Sequence, residues 1–163
     1  MMRKKQEDAF QVNAKKAAMR ITINSTMIGA LFFVLTFILA SGYERFSFLV
    51  ISQLVLAIPL LFVSILAYSK IAYWEEAQTW DLYGWVTSNL GNDILLNAIG
   101  LMIAGVSVPL AVVYFSLTLL LMVIYSAINI KYTPSIARQK LFKLLFFFSV
   151  MFVGGILPLF FIK

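Results

Sequence analysis

Residues 94–130 read ILLNAIGLMIAGVSVPLAVVYFSLTLLLMVIYSAINI, thirty-seven consecutive positions without an Asp, Glu, Lys or Arg. As one helix rising 1.5 Å per residue, this stretch would measure roughly 55 Å, nearly twice the roughly 30 Å hydrocarbon core of a bilayer. It must therefore fold back on itself. Gly105-Val106-Ser107-Val108-Pro109 offers the break, because glycine loosens the backbone and proline removes a backbone donor. Two helices are expected, at about 92–106 and 109–130. The first is short enough to tilt little, to thin the bilayer or to be re-entrant.

Three further uncharged stretches, 21–43, 46–69 and 144–162, extend the pattern in both directions. Apolar residues make up 62% of the 163-residue chain, charged residues 12%, and the mean hydropathy is +0.94. Soluble domains run at about 45–50% apolar and about 25% charged. The expected fold is all-α, a polytopic transmembrane helical bundle of about five spans. A basic juxtamembrane arm occupies residues 1–20, a single transmembrane domain residues 21–163, and an interfacial aromatic and acidic helix residues 70–91. Basic residues before the first apolar run, and Ala40, Ser41 and Gly42 after it, mimic a signal peptide. The run is longer than the roughly 7–15 apolar residues of such a signal, so it reads as a retained span.

The formal charge of +6 is placed unevenly. With the N-terminus inside, Arg3, Lys4, Lys5, Lys15, Lys16, Arg20, Lys70, Lys131, Arg138, Lys140 and Lys143 fall on the inner side, and Arg45 and Lys163 outside. That bias predicts an integral membrane protein with a cytoplasmic N-terminus and an extracytoplasmic C-terminus. The expected partners are the lipid bilayer, with anionic headgroups at the inner leaflet contributing roughly 1 kcal/mol per nearby basic residue, and a second copy of the chain or a membrane partner subunit. Nucleic acid is not expected.

Residues 70–93 form the longest polar interruption, carrying all three tryptophans. Tyr73, Ala77, Trp80 and Gly84 follow helical spacing. Amphipathic aromatics favour the headgroup level, so an interfacial helix is expected here, followed by a Ser-Asn-Leu-Gly-Asn turn capping the next span through Asn92. Trp74, Glu75, Glu76, Trp80 and Asp81 are the candidate interfacial site. The plainer reading is an aromatic anchor, the sharper one a ligand or partner site.

Small and polar residues at helical spacing mark candidate inward faces, because lipid-immersed helices associate through close backbone approach and interhelical hydrogen bonds. The stripes are Ser25, Gly29, Thr36 and Ala40; Gln53, Ala57 and Ser64; Asn97, Gly100, Ala104 and Ser107; and Thr118, Tyr125 and Asn129. Gln53, Asn97, Gly100 and Ala104 are the candidate packing or pathway residues. Gly154, Gly155 and Pro158 suggest a bend in the last helix.

With no Cys and no His, zinc and haem ligation through those residues, iron–sulfur clusters, Cys nucleophiles and His-based triads are excluded. No cofactor, metal site or catalytic residue is expected. On this reading no ionisable residue lies well inside a span, and the carboxylates Glu75, Glu76, Asp81 and Asp93 sit at the inner interface. The functional expectation is a non-enzymatic integral membrane protein acting through intramembrane contacts, as an accessory subunit, an immunity or defence factor, or a membrane effector. An oligomeric pore or passive small-solute carrier is the alternative, and an interfacial lipid-modifying enzyme the third. Reporters fused in the 41–44 loop should be extracytoplasmic, and those near Ala77 and Ser135 cytoplasmic. An extracytoplasmic signal at both inner positions would overturn the topology.

Overall fold

The computed structural model describes residues 2–42, 46–73, 77–132 and 137–161, which are almost wholly helical, with no strand among them. The elements are α1 (Met2–Ser41), α2 (Phe48–Tyr73), α3 (Ala77–Val106), α4 (Val108–Tyr132), α5 (Ala137–Met151), a π-helical turn (Phe152–Ile156) and the short α6 (Leu157–Leu159). Among the described residues, five segments are long and apolar enough to cross a membrane: Ala14–Ser41, Phe48–Ile71, Thr79–Val106, Val108–Tyr132 and Lys140–Leu159. α1 stops where Gly42 takes a φ of +90°, a conformation that glycine adopts without steric cost at a helix C-terminus. Ser47 caps α2, its hydroxyl accepting from the Leu49 amide at 3.3 Å.

The chain divides into two compact units, residues 1–43 with 55–92, and residues 44–54 with 93–163. In the first, α1 buries Ala17, Asn24, Leu31 and Ile38, one residue every seven. α2 contributes Ala57, Leu61, Ser64, Ala67, Tyr68 and Ile71. Gly84 and Gly91 let α3 approach closely, since an added Cβ would lie 3.1 Å from the Tyr68 ring at Gly84 and 2.9 Å from Leu61 at Gly91. Three hydrogen bonds close a triangle between the helices. The Asn24 amide donates to Ser64 Oγ (2.9 Å), Ser64 Oγ donates to the Gly84 carbonyl (2.9 Å), and Ser88 Oγ donates to Asn24 Oδ1 (3.1 Å).

In the second unit the chain reverses at Ser107, between α3 and α4, where the Gly-Pro break is expected. The Tyr114 hydroxyl donates to the Leu96 carbonyl at 3.2 Å, whereas eighteen residues of straight helix would separate them by about 27 Å. Phe115, Phe147 and Met151 form the core here, with Leu96, Tyr114, Phe148 and Ile156 packed around them. The Phe115 ring is held between two glycines. An added Cβ would lie 2.2 Å from it at Gly100 and 2.6 Å from it at Gly155.

Three sequence expectations need correction. The Ser-Asn-Leu-Gly-Asn turn is absent, and residues 88–92 lie inside the 30-residue α3. Thr87 and Asn89 hydrogen-bond carbonyls four residues back on α3 (2.9 and 2.6 Å) instead of competing for the backbone, and Gly91 is retained because Leu61 packs on it. Asn92 is therefore no cap. On α1 the stripe of Ser25, Gly29, Thr36 and Ala40 is exposed, and the Thr36 hydroxyl donates to Phe32 of its own helix at 2.8 Å. On α4 Tyr125 is exposed, while Thr118 and Asn129 bond back to Tyr114 and Tyr125; Ala111, Phe115 and Ser126 are buried instead.

Two glycines of equal helix propensity should separate by context. Gly29 has nothing within 4 Å of an added Cβ, so Gly29→Ala should leave the detergent melting temperature unchanged or raise it, by up to about 1 kcal/mol in stability. Gly100→Ala should lower it, and Gly100→Leu more so, because the Phe115 ring must move. Equal melting temperatures for the two alanine variants would mean that the Gly100–Phe115 approach does not hold the unit together.

Candidate functional site

A carbonyl that has lost its helical donor organises the polar part of the second unit. Pro158 lies four residues after Gly154 and has no N–H, so the Gly154 carbonyl cannot receive its α-helical bond. The backbone widens there, with the Leu157 amide bonding five residues back to Phe152. Gln53 of α2 supplies the missing donor, its Nε2 lying 2.6 Å from the Gly154 carbonyl oxygen. Asn97 of α3 acts alongside, donating from Nδ2 to the Val150 carbonyl at 3.0 Å.

Glycine at 154 and 155 is what admits these amides. An added Cβ at Gly154 would sit 2.5 Å from Asn97 Nδ2, and one at Gly155 would sit 2.6 Å from Asn97 Oδ1. The bend expected at Gly154, Gly155 and Pro158 is thus a π-helical turn with a job, since it exposes carbonyls for side chains from two other helices. Both amide orientations follow from the acceptors they meet, because a flipped amide would set oxygen against carbonyl oxygen. Asn97 Oδ1 and Gln53 Oε1 are consequently left buried with no hydrogen-bond partner.

Asp93 precedes Asn97 by one turn on the same face of α3. It is 4% exposed, and its Oδ2 is likewise buried and unpartnered. The sequence reading puts Asp93 at the inner interface, and the structure buries it inside the span-length segment Thr79–Val106. Thirteen residues of α3 separate Asp93 from Val106, the end of the span-length segment, which is about 20 Å along the helix. Insertion scales put a central Asp at about 2.5–3.5 kcal/mol unfavourable, and such residues mark pathways and binding sites.

Of the other sequence candidates, Ala104 is buried on the α3 face and Gly100 abuts Phe115. Trp80 is half-exposed and meets Tyr83 edge-on, with centroids 6.5 Å apart. Asp81 is exposed and lies 3.9 Å from Arg20, whose guanidinium also donates to the Tyr68 hydroxyl and stacks 5.0 Å from that ring's centroid. An ion pair so exposed contributes at most about 1 kcal/mol. Trp74, Glu75 and Glu76 lie outside the described residues. Sequence reasoning missed Asp93 as a buried group, although the Asp93–Asn97 spacing of four was a signal for a shared face.

The Gly154–Asn97 contact can be tested by suppression. Gly154→Ala should lower the detergent melting temperature in the native background, and cost less in an Asn97→Ala background where the clash is gone. The expected coupling is about 0.5–3 kcal/mol. Strict additivity would show that Gly154 is not making room for Asn97. Comparison with known protein families, curated proteins and solved structures finds no match.

Proposed function

We propose that this chain is a non-enzymatic integral membrane protein that acts as a carrier or oligomeric pore for a small solute. Asp93 carries the proposal. A carboxylate buried in the middle of a span-length helix, with an unpartnered oxygen, costs more than packing alone would justify. The amide oxygens of Asn97 and Gln53, whose nitrogens bond the carbonyls beside the wide turn, are likewise buried and unpartnered. Interruptions of helices, such as the turn at Phe152–Ile156, are the places where membrane carriers commonly expose backbone groups to a solute. The five span-length segments described are few to enclose a wide conduit, which favours assembly from several copies.

Within this reading the N-terminus faces the cytoplasm, and the exposed Lys15 and Lys16 meet anionic headgroups. Trp80 and Tyr83 then anchor the N-terminal end of α3 at the interface, as the upper part of a standing helix rather than as a helix lying flat. A role through intramembrane contacts alone would leave the orphaned oxygens of the polar layer without a use.

Purified protein reconstituted into liposomes should pass at least one small solute faster than empty liposomes, in a panel of alkali cations, protons and small neutral solutes. Asp93→Asn should reduce that flux at least tenfold while incorporation stays unchanged. A panel in which no solute exceeds the empty-vesicle rate would overturn the carrier reading.

A further inference from the structure

We propose that the polar layer of the second unit is a binding site for one small monovalent cation, held by the Asp93 carboxylate with the amide oxygens of Asn97 and Gln53. The inference rests on the carrier reading and names its substrate class. Asp93, Asn97 and Gln53 are 4%, 1% and 8% exposed, and each keeps one buried oxygen without a hydrogen-bond partner. Three orphaned acceptors are a surplus of negative potential in a medium that strongly penalises it. One hydrogen of each amide is already committed, Asn97 Nδ2 to the Val150 carbonyl and Gln53 Nε2 to the Gly154 carbonyl.

The occupant that matches this set is a positive charge with an affinity for hard oxygen donors. Asp93 is the one buried carboxylate among the described residues. Its single negative charge neutralises a monovalent ion, whereas a divalent ion would remain with an uncompensated charge in hydrocarbon. The donors also occur in a sequence along the helices. Asp93, Asn97 and Leu101 follow one another at intervals of four on α3, and Gln53 lies four residues after Leu49 on α2.

Leu49 and Leu101, with Ser47, Leu157, Pro158 and Phe161, line a cavity of about 340 Å³. The cavity therefore stands one helical turn beyond the amide oxygens, at the end of the unit where α2 begins. It is far larger than the roughly 30 Å³ that one water molecule occupies, and Leu49 and Leu101 of its lining lie one helical turn from Gln53 and Asn97.

Purified full-length protein in detergent should show a saturable rise in melting temperature with NaCl, LiCl or KCl, measured against N-methylglucamine chloride at the same ionic strength. Equilibrium dialysis with radioactive Na⁺ should retain about one ion per chain. Asp93→Asn, with its helicity confirmed by circular dichroism, should lose both signals. If that variant does not fold, ion retention by the native chain decides the matter, and retention no greater than in protein-free micelles overturns the site. A shift produced by pH alone, or by Mg²⁺ or Ca²⁺ alone, also overturns it, because the occupant would be a proton or a divalent ion. Saturable Na⁺ binding without liposome flux keeps the site and retires the carrier reading; flux without binding does the reverse.

Discussion

A backbone carbonyl that has lost its helical donor inside a helical bundle needs another donor, and here a side chain supplies it. That requirement governs the second unit. Pro158 removes the bond that the Gly154 carbonyl would accept, the backbone opens into a π-helical turn, and Gln53 and Asn97 reach in with their amide hydrogens. Each consequence constrains the next. The amides need glycine at 154 and 155, the absent side chain at 155 gives Phe115 a wall, and Gly100 gives the same ring its other wall. Exchanging any member would disturb α2, α3, α4 and the wide turn together.

The first unit meets the same requirement in another way. Asn24, Ser64 and Ser88 bond to one another and to the Gly84 carbonyl, so both polar atoms of the Asn24 side chain are used. A satisfied network of this kind specifies which helix faces meet, and it has little capacity left for a ligand. In the second unit Gln53 and Asn97 donate to backbone carbonyls while their amide oxygens are left unpartnered, as is Asn92 Oδ1 at the edge of the first. The two arrangements use similar residue types, and their chemical prospects differ because of what the amide nitrogens find to bond.

Polar side chains in these helices fall into two groups that look alike in sequence. Thr22, Thr26, Thr36, Thr118, Asn129 and Ser149 bond carbonyls four residues back on their own helices. Once satisfied in this way, a hydroxyl or amide can face lipid at small cost, and it no longer marks an inward face. Thr36, Thr118 and Asn129 of the α1 and α4 stripes are of this kind, whereas Gln53, Ala57 and Ser64 of α2 and Asn97 and Ala104 of α3 are buried. On α1 the buried face repeats every seven residues through Ala17, Asn24, Leu31 and Ile38, with Asn24 as its polar member.

The amino-acid sequence by itself determined that the chain is helical and apolar, that residues 94–130 reverse near Ser107, that the last helix is interrupted near Gly154 and Pro158, and that Gln53, Asn97, Gly100 and Ala104 belong to buried faces. These features follow from local causes: length against bilayer thickness, proline without a donor, glycine without a side chain. Where α3 begins and which polar residues are left unsatisfied were decided by the tertiary structure. Packing of Leu61 on Gly91 and of Tyr68 on Gly84 carries the helix through a stretch whose local signals favour a turn, and this moves Asp93 from an expected interface to a buried position. An orphaned oxygen is defined by the partner its amide nitrogen finds on another helix, and no spacing along the chain encodes that.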